Sequence, residues 1–110
     1  MIFMTLQQKM KKFSEAFADA APNLYHFWRP QKMFPCIVWQ ENGANPEFAD
    51  NRTCEQAITG TLDYFTKEEF DPTVDQIQEV FNRLGICWAL NIIQWEDATG
   101  LIHYEWTWEI

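Results

Sequence analysis

The chain has 110 residues, a formal net charge of −8, and 47% hydrophobic and 16% aromatic residues. This length suits one domain, spanning 1–110, and so much apolar material excludes a disordered chain. The acidic balance argues against direct binding of nucleic acid, because phosphate contacts need clustered positive charge. No apolar run could cross a bilayer and no basic segment leads into an apolar one, so we expect a soluble cytoplasmic protein.

The N-terminal segment has the periodicity of an amphipathic helix. Its apolar residues recur at spacings of four, three and four, which places them on one helical stripe: Leu6, Met10, Phe13 and Phe17. We predict a helix from Thr5 to Ala21 that Pro22 ends. Lys9, Lys11 and Lys12 are expected on its solvated face.

Two short apolar segments, Leu24 to Trp28 and Pro35 to Glu41, come next. We predict that they form a hairpin, whose second strand, Cys36 to Trp39, is apolar on both faces as in a central strand. The stretch from Asn42 to Asn51 contains Gly, Pro and several Asn, which predicts a long loop. Loops of this length in small domains are often functional or ordered only on binding.

The segment from Arg52 to Phe65 alternates as a long, half-buried strand. Gly60 interrupts it and predicts either a bulge or a close approach by another part of the chain. The two predicted faces are Cys54, Ile58, Leu62 and Tyr64 on one side, and Glu55, Thr59, Thr61 and Asp63 on the other.

The Asp71-Pro72 pair predicts the start of a second helix, because Asp accepts hydrogen bonds from free amide groups and Pro suits the first helical position. Gly85 supplies the terminating residue. The apolar stripe of this helix is Val74, Ile77, Phe81 and Leu84.

Two alternating strands, Ile86 to Trp95 and Leu101 to Ile110, complete the pattern as a hairpin with a turn from Glu96 to Gly100. The predicted order is helix, three strands, helix, two strands. It indicates an α+β fold in which two helices pack on one face of a mainly antiparallel β-sheet.

No catalytic machinery can be assembled from these elements. Cys87 and His103 could form a nucleophilic pair, but both lie on regular strands and nothing near the thiol lowers its pKa. His26 and His103 with Asp97 or Glu105 lack the short spacing of metal ligands. We therefore predict a protein that is not an enzyme and carries no cofactor or metal.

The three cysteines are widely spaced, each in an apolar or β-like run: Cys36, Cys54 and Cys87. Their odd number and the lack of a CxxC pair favour free, buried thiols. Six Trp and nine Phe exceed what one small core readily encloses. The surplus predicts a protein interface, or alternatively a module that binds a small ligand or peptide on an aromatic sheet face.

Five segments together resemble the head-tail joining proteins, also labelled tail terminators or minor capsid proteins, of tailed bacteriophages and prophages of Gram-positive hosts. They lie between residues 34 and 106, a span of about two thirds of the chain. The segments are Phe34–Glu41, Phe48–Asn51, Leu62–Lys67, Asp71–Gln78 and Trp95–Trp106. The first hairpin, Leu24 to Lys32, matches this family only loosely.

The resemblance implies a tail-terminator-like fold and a ring, typically of six subunits, that caps the tail tube and meets the head connector and other neck proteins. DNA would pass through the ring without being specifically bound, and no catalytic residue, cofactor or membrane is implied. The protein would act in the host cytoplasm during assembly and then remain in the virion. Candidate subunit-interface residues are Trp39, Glu41, Asn45, Phe48, Asp50, Asn51, Asp97 and Thr99.

Overall fold

The computed structural model describes residues 4–21, 23–30, 32–49 and 52–110, with the backbone alone for 46–49 and 52–55. The predicted α+β class and element order are confirmed. The helices are α1 (Leu6–Phe17) and α2 (Thr73–Leu84). The strands are β1 (Leu24–His26), β2 (Cys36–Ala49), β3 (Arg52–Thr66), β4 (Cys87–Glu96) and β5 (Leu101–Glu109).

Helix α1 begins with a reciprocal cap at Thr5. The Thr5 hydroxyl accepts a hydrogen bond from the Gln8 amide at 3.2 Å, and the Thr5 amide donates to the Gln8 side chain at 2.8 Å. This cap satisfies two amide groups that have no partner within the helix. The helix ends at Phe17, earlier than the predicted Ala21, and Pro22 lies outside the described residues.

Lys9 does not lie on the solvated face that its position predicted. Its side chain is buried, and its ammonium group donates to the Gln56 carbonyl at 2.5 Å and points to the Ile110 carbonyl at 3.4 Å. The long aliphatic stem lets the charge reach these acceptors across the apolar stripe. Lys9 therefore joins α1 to one end of the sheet.

The sheet is mixed, with strand order β1-β2-β3-β5-β4. The predicted hairpin between the first two strands is wrong, because β1 pairs parallel to β2, with Leu24 opposite Ile37 and His26 opposite Trp39. A tight turn can join only antiparallel strands, so the segment between them must carry the chain back to the starting end of β1. All other pairs in the sheet are antiparallel.

The predicted loop from Asn42 is also wrong where the chain is described. Strand β2 continues to Ala49 and pairs with β3 as far as Arg52, with register shifts after Glu41 and after Pro46. These irregularities accommodate Pro and Asn residues that a regular central strand would not hold. Residues 50 and 51, which complete the predicted loop, lie outside the described residues.

Helix α2 and the final hairpin are confirmed. The Asp71 carboxylate accepts from the Thr73 amide at 2.9 Å, and Gly85 ends the helix in the left-handed conformation with φ of 66°. The hairpin turn closes with the Gly100 amide donating to the Glu96 carbonyl at 2.9 Å, and Gly100 has φ of 70°. Glycine tolerates these dihedral angles without the steric cost that a Cβ brings.

Both helices pack on one face of the sheet, as predicted. The Phe13 ring from α1 lies 4.9 Å from Trp39 and 4.3 Å from Trp108, measured between ring centroids. The Phe81 ring from α2 lies 6.4 Å from Trp106, which is fully buried. This aromatic layer is the core, and its burial supplies most of the hydrophobic driving force for folding.

Gly60 lies beneath this layer, where the indole of Trp108 crosses the β3 backbone. A Cβ at Gly60 would lie 2.2 Å from the Gln40 carbonyl oxygen and 2.3 Å from Trp108 Cζ2. The predicted close approach at this glycine is therefore confirmed. The buried Trp108 Nε1 has no hydrogen-bond partner among the described residues, so packing holds this ring in place.

Candidate subunit interface

The far halves of β2 and β3 form a two-stranded arm, defined here as Ala44–Ala49 and Arg52–Ala57. Strand β1 pairs with β2 at residues 37–39, and the C-terminal segment pairs with β3 at residues 58–66, where Ile58 and Ile110 exchange two backbone hydrogen bonds. In the described part of the chain, the arm strands therefore pair only with each other. The molecule is accordingly elongated, with extents of 52 × 23 × 23 Å.

Three predicted interface residues lie at or near the base of this arm. Trp39 is 2% exposed and stacks on His26 with ring centroids 3.9 Å apart, so it belongs to the core and offers no surface to a neighbour. Glu41 accepts a hydrogen bond from His26 Nε2 at 2.5 Å. Asn45 is exposed and donates to Glu109 at 3.1 Å. The prediction at Trp39 failed because an aromatic side chain on a central strand is usually core.

Three more predicted interface residues lie towards the arm tip. Phe48 is on β2, opposite Thr53, and only its backbone is described. Asp50 and Asn51 lie outside the described residues. The structure thus places Phe48 on the arm, and a contact there stays a prediction.

The last two predicted interface residues lie in the β4–β5 turn, away from the arm. Asp97 accepts a hydrogen bond from Trp95 Nε1 at 2.5 Å, and Thr99 donates to Glu96 at 3.1 Å. Both bonds are local to the turn and exposed. The eight predicted residues therefore do not form one patch: the arm and the turn are separate surfaces.

Strand β4 carries several exposed apolar side chains that sequence reasoning did not select. This strand is at one edge of the sheet, and nearly all of its residues are exposed. Ile93 is 62% exposed and Trp95 is 58% exposed, and Leu90 and Ile92 are also exposed. A long edge strand with apolar side chains and no Lys or Pro is a ready surface for pairing with another chain.

A bulge at Asn91 determines which face these side chains share. Leu90 lies opposite Trp106 and Ile92 lies opposite Glu105, so Asn91 is the extra residue. Beyond the bulge the alternation is inverted, and Ile93 falls on the same face as Leu90. The resulting β4 apolar row, on the helix side of the sheet, is Trp88, Leu90, Ile93 and Trp95.

The hypothetical nucleophilic pair is not formed. Cys87 lies opposite Glu109 and His103 lies opposite Gln94, so about 20 Å of strand separates them. Cys36 is buried as predicted, and burial raises the pKa of its thiol, whereas Cys87 is exposed, contrary to prediction. The described residues contain no group of three or more His, Cys, Asp or Glu side chains placed to hold a metal ion.

His103 instead forms an ion pair on the face of the sheet opposite the helices. Its Nε2 lies 2.7 Å from the Asp63 carboxylate, and its ring stacks on Phe65 with centroids 4.4 Å apart. The Arg29 guanidinium lies over the Phe65 ring, 4.4 Å from its centroid. The hydrogen bond with Asp63 raises the pKa of His103 above its usual value, although partial burial opposes the shift.

The ion pair between His103 and Asp63 predicts that part of the free energy of unfolding depends on pH. Because the pKa of His103 is raised on folding, the pair stabilises fully below the unfolded pKa of about 6.5, and the stabilisation is lost as pH rises through the folded pKa. We expect Asp63→Asn to remove this loss, which should be at most about 1 kcal/mol for a partly exposed pair. Urea unfolding of the wild type and of Asp63→Asn from about pH 5.5 to 8.5 measures this pH dependence. Parallel profiles of the free energy of unfolding against pH would contradict the prediction.

The concave surfaces do not resemble an enclosed ligand site. A groove of ≈ 400 Å³ lies partly over Thr59, Thr61 and Thr107, and a wider cleft of ≈ 610 Å³ lies between the helices. Both are open to solvent, whereas small-molecule sites usually enclose most of their ligand in apolar walls. The helices cover most of the aromatic sheet face proposed for ligand binding, including Trp106.

The chain matches no model of a known protein family and no curated protein sequence at a significant level. Neither helix in the described part of the chain has the length and apolarity needed to span a membrane.

Proposed function

We propose that this chain is a non-catalytic assembly subunit of the head-tail neck of a tailed bacteriophage. It would act as a tail terminator or head-tail joining protein, assembling into a ring, in the host cytoplasm and then in the virion. Five sequence segments support this proposal by their resemblance to that class of protein. The α+β architecture with helices against one sheet is the type of fold that the resemblance implies.

The arm is the structural observation that carries the proposal. At its base the arm contacts the body through Lys9 with Gln56 and through Asn45 with Glu109. Because an isolated two-stranded hairpin is marginally stable in water, the outer part of the arm would gain stability from a surface on another molecule. A contact between the arm of one subunit and the body of the next is head-to-tail, and such contacts generate rings when the rotation closes. The predicted interface residues Glu41, Asn45 and Phe48 are on or beside this arm.

The acidic charge is compatible with a ring through which DNA passes. With a net charge of −8 per subunit, a ring lumen would repel the phosphate backbone and not retain it. The cleft between the helices does not provide a basic path for nucleic acid, because Glu15, Asp19 and Glu79 line it with Arg83.

The test is capping of tail tubes. Purified tubes, assembled from the tail-tube protein encoded in the same genome, should bind the wild-type protein at one end as a ring visible by electron microscopy, and further elongation should stop. A variant in which an Asn-Gly turn replaces residues 47–55, between the paired Pro46 and Gln56, keeps the acceptor of Lys9 and should keep its fold, but it should neither form rings nor cap tubes.

Circular dichroism and thermal unfolding of the shortened variant provide the folding control. Phe70→Lys provides the matched surface control, because Phe70 is 90% exposed and lies away from the arm, between β3 and α2. It should cap tubes like the wild type. A wild-type protein that neither forms rings nor binds tube ends would refute the proposed function.

A further inference from the structure

The β4 edge is self-complementary when it is paired with a second copy in the antiparallel direction. If the two-fold axis passes between Asn91 and Ile92, Trp88 lies opposite Trp95 of the second copy. Leu90 then lies opposite Ile93 of the second copy. All four side chains belong to the β4 apolar row, so each meets an apolar partner on the same face of the joined sheet.

The bulge at Asn91 makes this symmetry possible. Without it, Leu90 and Ile93 would lie on opposite faces, because side chains alternate along a regular strand. With it, the apolar row has the order Trp, Leu, Ile, Trp and is nearly symmetric about its midpoint. A two-fold interface requires such a pattern, since the same patch contributes to both sides.

The charges also fit a second copy of this chain. Glu96 is the only charged residue on β4, and in this register it lies opposite Cys87 of the second copy, so no carboxylates face each other. The other edge of the sheet is a poorer partner, because β1 has only three residues and β2 beyond it carries Glu41 and register shifts.

The indole rings have room at both ends of such a pair. Trp88 stacks on Phe81 of α2 at 5.6 Å and donates to Asn82 at 3.0 Å, which fixes its ring beside the helix. Trp95 projects from the other end of β4 and is 58% exposed. Pairing would bring the Trp95 ring of one copy against the fixed Trp88 of the other, where aromatic contacts add to area burial.

We propose that two copies of this chain associate through antiparallel pairing of their β4 strands, with the two-fold axis between Asn91 and Ile92. The two five-stranded sheets then join into one, with all helices on the same side. This association does not rest on the proposed neck function. It closes after two copies, whereas the arm contact proposed for the ring is head-to-tail.

Disulfide cross-linking tests the register. Glu96→Cys places a thiol opposite the exposed Cys87 of a second copy, and paired cross-strand positions are close enough for a disulfide. Within one chain, positions 87 and 96 are at opposite ends of β4, about 30 Å apart. Copper-phenanthroline and air, which remove two electrons and two protons from each thiol pair, should give covalent dimers on a non-reducing gel.

Three controls accompany this measurement. The wild-type chain and the double variant Cys87→Ser with Glu96→Cys should remain largely monomeric on the gel. Gln94→Cys moves the thiol two positions along the same face and should cross-link at least fivefold less than Glu96→Cys. Equal cross-linking at positions 94 and 96, or none at 96, would overturn the proposed register.

Sedimentation tests the association itself. The sedimentation measurements use the arm-shortened background, which cannot form the proposed head-to-tail ring, and its weight-average mass should rise from one towards two chain masses with concentration. It should rise further between about 0.05 M and 0.5 M salt, because salt screens the repulsion between two chains of charge −8. Ile93→Lys should keep the mass at one chain, and Phe70→Lys, with the same change of charge, should behave as wild type.

Several outcomes contradict the proposal. A wild type that stays monomeric at all concentrations, or an Ile93→Lys protein that still dimerises, would exclude β4 pairing. A partner other than a second copy is indicated if the wild type stays monomeric but binds a different neck protein through Ile93. Tube capping by the Ile93→Lys variant separates the two proposals. If this variant does not dimerise but still caps tubes, the function of the ring does not require pairing through β4.

Discussion

Replacing Gly60 with alanine should be strongly destabilising, lowering the free energy of unfolding by about 3 kcal/mol or more. The added Cβ would lie 2.2 Å from the Gln40 carbonyl oxygen and 2.3 Å from Trp108 Cζ2. The first contact is with backbone in the paired neighbouring strand. The second is with a ring that is 3% exposed and packed against Phe13. Neither the Gln40 carbonyl group nor the Trp108 ring can move without disturbing the sheet or the core.

Gly43→Ala is the matched control, because it makes the same chemical change on the adjacent strand. Its Cβ would lie 3.2 Å from the Thr59 hydroxyl, which is the end of a side chain that can rotate away. We expect a change within about 0.5 kcal/mol. Urea unfolding followed by tryptophan fluorescence measures both variants. Equal stabilities for the two would show that Trp108 does not occupy the space above Gly60.

Replacing Asp71 with alanine should lower the free energy of unfolding by about 3 kcal/mol. The buried carboxylate accepts hydrogen bonds from Tyr64 at 2.6 Å, from Thr66 at 2.8 Å and from the Thr73 amide at 2.9 Å. The substitution removes the acceptor of the Thr73 amide just before α2, worth about 1 kcal/mol, and leaves two buried hydroxyls without this acceptor, at about 1–3 kcal/mol each.

Asp75→Ala is the control, because Asp75 is an exposed acidic residue in the first turn of the same helix. The Asp75→Ala substitution should lower the free energy of unfolding by less than about 1 kcal/mol. Similar losses for the two variants would mean that charge near the helix start, and not the hydrogen-bond network of Asp71, provides the stabilisation. Urea unfolding at neutral pH measures the difference.

The same network gives Asp71 an acid dependence. Burial acts to raise its pKa, but hydrogen bonds from Tyr64, Thr73 and Thr66 outweigh burial and hold the pKa below its usual value. Burial and the bond to Asp71 raise the pKa of Tyr64 to about 12. Since the pKa of Asp71 is depressed on folding, its contribution is present above the unfolded value of 3.8 and lost as pH falls through the folded pKa. Asp71→Asn should lack this part of the acid unfolding profile.

Local patterns predicted the elements whose structure depends on nearby residues. The Asp71-Pro72 pair predicted the start of α2 close to the observed Thr73, Gly85 ends this helix as predicted, and the alternation from Leu101 to Ile110 predicted β5. Gly60 predicted either a bulge or a close approach, and the second of these is observed. In each case the physical cause, a cap, a left-handed residue or a period of two, is contained in a few consecutive residues.

The errors came from relations between distant segments. Whether β1 pairs parallel or antiparallel depends on the path of the chain between the strands, not on the strands themselves. The Asn-rich stretch before residue 50 became a strand because β3 offers it a ladder of hydrogen bonds. The helical periodicity predicted that Lys9 lies on the solvated face of α1. The carbonyl groups of Gln56 and Ile110, which accept from its side chain, lie within reach only in the folded sheet.

The candidate interface also combines features that consecutive residues indicate with features that depend on distant segments. Glu41 precedes the arm and Asn45 lies in it, and a contact of either residue with a neighbouring subunit stays a prediction. The β4 apolar row was missed because an apolar strand indicates burial unless its position in the sheet is known. The bulge at Asn91, which places Leu90 and Ile93 on one face, leaves no mark in the local composition.

The position of β5 between β3 and β4 has a kinetic consequence. Two hairpins, β2–β3 and β4–β5, can each close through contacts between residues near in sequence, but the sheet is complete only when β3 meets β5. That seam pairs Leu62 with Trp106 and Gly60 with Trp108, residues far apart along the chain. Closing such long loops costs entropy before any contact repays it, so we expect formation of this seam to be the slow step in folding.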